Sequence, residues 1–168
     1  MSTDAHGQSA VRTLRQAPTD QPLKTFCGHC GRAPEVDSSD HDSRVCEKCG
    51  LGLMLQAPAD SAPGPTDPFL VVDGALTVCA LSRQAERLLE VSETEAVNRH
   101  VAEFLVPADA ETASGETLAS LLAWAVRGET PSDQVVIRPT NTFGVRYWAR
   151  VGPCGPPSAA LLVLADAR

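Results

Sequence analysis

Residues 69–92 read FLVVDGALTVCALSRQAERLLEVS, and the order of patterns within this stretch decides the fold. Two short apolar runs are broken at Asp73-Gly74, a dipeptide that favours a tight hairpin between antiparallel strands. Ser82 then stands where a helix N-cap belongs, with Ala85, Leu88 and Leu89 on one helical face. Ser92 and Glu95 have capping-box spacing, in which each side chain satisfies the other's exposed backbone N–H, so a further helix starts there. Downstream, Leu118, Leu121, Leu122 and Ala125 follow an i, i+3, i+4, i+7 series closed by Gly128. Three strand candidates finish the chain: DQVVIRP (133–139), GVRYWARVG (144–152) and AALLVLADA (159–167). In the middle one, Val145, Tyr147, Ala149 and Val151 alternate with Arg146, Trp148 and Arg150, the period of a half-buried strand. Residues 160–165 are apolar throughout, as a central strand buried on both faces requires. Two strands, several short helices and three strands predict an α+β domain: a five-stranded antiparallel sheet with its helices inserted between strands 2 and 3.

Over residues 68–168 these patterns resemble a PAS domain. Ala85, Glu86, Leu88, Leu89 and Ser92 match the family's helix after the second strand, and RYWARVGPCGPPSAALLVLADAR resembles its last hairpin. The sequence departs where the family often has Asn (Ser82 here) and Gly-Tyr (Glu90-Val91). The resemblance implies sensing or protein association, with a ligand cavity between sheet and helices whose occupant is unknown. Flavin photochemistry would need a cysteine where Val101 stands. Cys79, on the second strand, is expected to be a buried inert thiol. A haem would need a cavity-facing histidine; His100 is the candidate, set against an ordinary helix-end role. Trp124 and Trp148 are expected in the core or an interface, and Arg146 and Arg150 on a solvated strand face.

Upstream, CGHCGRAPEVDSSDHDSRVCEKCG (27–50) holds two Cys-x-x-Cys pairs fifteen residues apart. Zn²⁺ favours four tetrahedral thiolates, and each such turn brings two sulfurs to one metal. Gly31 and Gly50 follow the pairs, where a tight knuckle needs a residue with φ > 0. The expected ligands are Cys27, Cys30, Cys46 and Cys49, with His29 and His41 as exposed bystanders. The pattern resembles a zinc ribbon, with VCEKCGLGL as its second knuckle and following strand. A rubredoxin-like iron site, a redox dithiol and four free cysteines are the alternatives. A module of ~30 residues buries too little apolar surface to fold alone, whereas zinc binding contributes roughly 10–16 kcal/mol in zinc-finger peptides. The segment is therefore expected to be disordered without metal.

The organisation follows: a flexible tail (1–22), a zinc ribbon (23–56), a flexible Pro-rich linker (57–67) and the PAS-like domain (68–168). Net charge is −7. Residues 21–56 hold four bases against five acids, and residues 68–168 eight arginines against twelve acids, so neither part offers the basic stripe of a nucleic-acid face. The N-terminus lacks the apolar segment of a secretory signal and no run spans a bilayer, which predicts a cytoplasmic protein with reduced thiols. No phosphate-binding glycine loop or catalytic constellation is readable. The expectation is a non-enzymatic sensory or regulatory protein, acting through a PAS ligand, a homodimer or a protein partner. One alternative is a transcription regulator whose ribbon touches RNA polymerase or DNA; another is a haem or flavin redox sensor.

Overall fold

A computed structural model of the chain describes residues 21–35, 44–108, 117–129 and 134–166. Strands β1 (Leu23–Cys27) and β2 (Met54–Pro58) form an antiparallel hairpin, with Phe26 opposite Leu55 and Cys27 opposite Met54. Next come β3 (Phe69–Val72), β4 (Val78–Leu81), α1 (Arg83–Leu89) and α2 (Glu93–Ala96). A 3₁₀ turn at Val101–Glu103 leads into β5 (Leu105–Pro107), then α3 (Leu118–Val126), β6 (Val135–Pro139), β7 (Tyr147–Cys154) and β8 (Ala159–Asp166). The second sheet runs β4-β3-β8-β7-β6-β5, with every neighbouring pair antiparallel. Five of these are the expected strands, with the helices inserted between the second and third. The sixth, β5, is a three-residue edge strand, too short to show a period in sequence.

The local signals work largely as expected. Ser82 Oγ accepts from Ala85 N at 3.2 Å and caps α1, while Glu95 reaches back to Ser92 N at 3.0 Å to open α2. The β3–β4 turn is built differently from a two-residue Asp-Gly hairpin. Asp73 Oδ1 accepts from both Ala75 N and Thr77 N at 2.9 Å, and Leu76, with φ 62°, takes the left-handed conformation. The carboxylate organises this turn as an Asx motif.

Strand alternation divides the sheet into two apolar faces. Leu70 and Val72 of β3, Ala149 and Val151 of β7, and Ala160, Leu162 and Leu164 of β8 turn inward. There they pack against Leu89 of α1, Ala96 of α2, Val101, and Leu118, Leu121 and Leu122 of α3. The residues between them, Phe69, Val71, Leu161 and Val163, turn outward and are also buried. What covers them is the β1–β2 hairpin, through Phe26, Leu55 and Ala57. The Phe26 and Phe69 rings meet edge to face, with centroids 5.7 Å apart and planes at 88°. Burying a Phe or Leu fully contributes about 1.5–3 kcal/mol, so this second core is a substantial tie.

Two expectations are corrected here. The Pro-rich stretch read as flexible is packed: Ser61 is 4% exposed and Ala62 9%. Its backbone turns on Pro58 O, which accepts from Ser61 N at 3.0 Å and Ala62 N at 2.9 Å. Gly152 of β7 leaves the space for it, since a β-carbon there would stand 2.9 Å from Ser61 Cβ. Lack of periodicity marks irregular backbone, and small residues allow such backbone to lie close on a sheet. Cys79 is exposed rather than buried. In β4 the pairing passes from Val71–Ala80 to Val72–Val78, so Cys79 is the extra residue of a β-bulge on an edge strand.

Candidate metal centre

Each Cys-x-x-Cys pair closes a single turn. Gly31 N donates to Cys27 O at 3.0 Å, and Gly50 N donates to Cys46 O at 2.8 Å. Gly31 and Gly50 have φ of 70° and 67°, the left-handed conformation that glycine adopts without a steric penalty. The two knuckles face each other, and the Sγ atoms of Cys27, Cys30, Cys46 and Cys49 all lie within 4.8 Å of one another. Cys27 Sγ is 3.6 Å from Cys49 Sγ, and Cys30 Sγ is 3.9 Å from Cys46 Sγ. A tetrahedral ion with metal–sulfur bonds of ~2.3 Å sets its sulfurs about 3.8 Å apart, so the donor set fits. His29 N and Cys30 N each point at Cys27 Sγ from 3.4 Å, the N–H-to-sulfur contacts of a metal knuckle.

Electrostatics make the four sulfurs unequal. Burial pushes the Cys27 thiol well above its usual range and raises Cys30 as well. At Cys49 burial also raises the value, but N–H groups of Gly52 and Leu51 and the thiols of Cys27 and Cys46 together outweigh it and pull the group down to about 6. Such a cluster cannot ionise fully without a compensating cation, which is the role a bound metal supplies.

The first knuckle is also where the ribbon meets the larger domain. His29, expected to be an exposed bystander, is 6% exposed. Its Nδ1 lies 3.1 Å from Glu93 Oε2, at ion-pair distance though off the hydrogen-bond axis. The other oxygen of Glu93 accepts from Leu81 N at 3.1 Å, so the carboxylate spans from β4 to the knuckle. His29 O accepts from Arg83 N at 2.9 Å, joining the knuckle backbone to the start of α1. A second junction lies at the middle of β2, where Gln56 and Gly155 exchange backbone hydrogen bonds of 2.6 and 3.0 Å. The spacing of the cysteines carried no sign of these contacts. The one available hint was the histidine inside the turn.

The remaining candidates are scattered. His41 lies outside the described residues. His100 is exposed, and its Nδ1 accepts from Ala102 N at 3.1 Å, capping the 3₁₀ turn rather than facing the inner core. Val101 is buried in that core. Trp124 packs on the core's edge, while Trp148 is 41% exposed. Arg146 is exposed; Arg150 is half-buried. Among the described residues no helix is long and apolar enough to cross a membrane.

The fold is therefore PAS-like, a curled antiparallel sheet with its helices on one face, and it carries a four-cysteine cluster on a hairpin covering the other face. No family model matches the sequence, and no curated protein does. Among solved structures the chain is similar to the PAS domain of an HTR-like protein from Haloarcula marismortui, at 18% identity and a TM-score of 0.42, over 60% of this chain and 80% of that one. It is similar to the PAS domain of nitrogen regulation protein NR(II) from Vibrio parahaemolyticus, at 16% identity and a TM-score of 0.44, over 60% and 89%. It is also similar to a chain of the E. coli DhaR(N)–DhaL complex, at 16% identity and a TM-score of 0.41, over 61% of this chain and 32% of that one.

Proposed function

We propose that this chain is a non-enzymatic sensory and regulatory protein in which one structural zinc ion fastens a ribbon to the outer face of a PAS domain. The observation that carries this reading is the convergence of four sulfurs within 4.8 Å on a hairpin whose opposite side is part of the sheet's second core. Zinc would be held by Cys27, Cys30, Cys46 and Cys49 and would supply a closed, redox-silent tetrahedral crosslink. Because the ribbon covers Phe69, Val71, Leu161 and Val163, metal occupancy and the state of the PAS sheet are linked. Signal output then passes through protein contacts. Leu51, Leu53 and Val45 of the ribbon are 68%, 48% and 43% exposed, an apolar surface suited to a protein partner or a second copy of the chain.

Native mass spectrometry of the purified chain tests this by counting metal, small molecules and subunits together. One zinc per chain, lost in the Cys46→Ser/Cys49→Ser variant, is expected. A protein with no zinc, or one that turns over a substrate without any partner, overturns the reading.

A further inference from the structure

A cleft of about 440 Å³ opens between the metal knuckles and α1, away from the inner core of the PAS-like sheet. Four cations line it: Arg32 from the first knuckle, Lys48 from the second, and Arg83 and Arg87 one turn apart on α1. Thr66 and Gln84 add neutral hydrogen-bonding groups, Cys30 and Cys49 of the sulfur cluster also reach the wall, and among the described residues no carboxylate is part of the lining. This is a local concentration of positive charge on a chain whose net charge is −7. Lys48 Nζ lies 3.2 Å from Glu35 Oε1, but among the described residues no carboxylate pairs with Arg32, Arg83 or Arg87.

Balancing the metal cluster accounts for part of this charge. Four thiolates around Zn²⁺ carry a net charge of −2, and Lys48 and Arg32 flank their own ligand cysteines in sequence. Arg83 and Arg87 come from the other module, on a helix with no ligand of its own, and leave the cleft with positive charge to spare. Two guanidinium groups on one helix face offer forked donor pairs to the oxygens of an anion, the arrangement that favours phosphate. The volume lies within the range of small-molecule sites and suits a ligand of nucleotide size. Nucleic acid is disfavoured, because the rest of the acidic surface would repel a long polyanion.

We propose that this cleft, walled by the ribbon on one side and α1 on the other, binds a small phosphate-bearing anion. The ligand would bridge the two modules at the junction that His29 and Glu93 already hold. This inference rests on the zinc site of the reading above but not on its regulatory role: failure of the zinc site shows as missing metal in the metal analysis, whereas binding is read on the metal-loaded chain whatever its partners.

The test is calorimetric titration of the metal-loaded full chain with inorganic pyrophosphate and with ADP, using sulfate at matched ionic strength as control. Saturable one-to-one binding of pyrophosphate or ADP, weakened at least about tenfold in Arg83→Ala/Arg87→Ala, is expected. Pyrophosphate binding as tightly as ADP assigns recognition to the phosphates; ADP binding alone assigns part of it to the nucleoside. Both substitutions replace exposed helix positions with a strong helix former, and metal content together with circular dichroism checks that the fold is kept. Should the double variant misfold, Arg87→Ala alone is read in the same way. No binding above the sulfate control, undiminished binding in the folded variants, or Arg-dependent binding to a short DNA duplex in preference to both probes overturns the proposal.

Discussion

Gly52 has no side chain to spare: a β-carbon there would lie 2.4 Å from Cys27 Sγ and 2.7 Å from His29 N. Gly52→Ala must therefore push the first knuckle away from the second. The expected result is a 10–100-fold weaker metal site, as for other substitutions just behind metal ligands, read by competition with a chromogenic chelator. An unchanged affinity would show that the knuckles are not held as described. The two cysteines outside the cluster separate by environment. Burial raises both thiols, but Cys79 sits exposed at its bulge, whereas Cys154 is buried and pushed up to about 12. In the metal-loaded chain, iodoacetamide in mildly alkaline buffer should modify Cys79 and spare Cys154, as mapped by peptide mass. Since the folded-state value of Cys154 lies above the ordinary 9.0, its contribution to stability is held below about 9 and lost as pH rises toward about 12. Residue types and spacing alone pointed to the four cysteines that the fold brings together and to the positive φ of Gly31 and Gly50. They did not foretell His29, whose burial depends on Glu93, sixty-four residues away in sequence.

At the scale of elements, β8 holds the key relation. Its uniformly apolar run announced two covered faces, and α3 with its neighbouring helices accounts for one of them. The cover for the other comes from β1 and β2, about a hundred residues upstream, and no local period encodes that pairing. The five principal strands and the capped helices were legible because each carries its own period or cap. The docking, the packed Pro-rich stretch and edge strand β5 were not, because they are fixed by tertiary contact. Phe69 tests the docking, being 0% exposed and edge-on to Phe26. Phe69→Ala should cost about 3–5 kcal/mol of stability, within the usual range for emptying a buried aromatic site, measured by denaturant titration. A loss under about 0.5 kcal/mol, typical of an exposed position, would mean that the hairpin does not seal this face.

At the scale of the whole molecule, the sequence suggested two units on a flexible tether, and the structure shows them sharing a core. The cysteine cluster lies at one end of that arrangement, where His29, Glu93 and Arg83 join it to the sheet and helix. Removing the ion should thus do more than unfold a small terminal module. With the hairpin loosened, the outward side chains of β3 and β8 lose their cover, while the inner core against α3 stays intact. Amide hydrogen exchange followed by mass spectrometry, before and after chelation, measures this directly. The account predicts faster exchange over residues 23–58 together with faster exchange in β3 and β8, and little change in α3. Exchange that rises in the ribbon while β3 and β8 stay protected, or a ribbon that stays protected without metal, would contradict it.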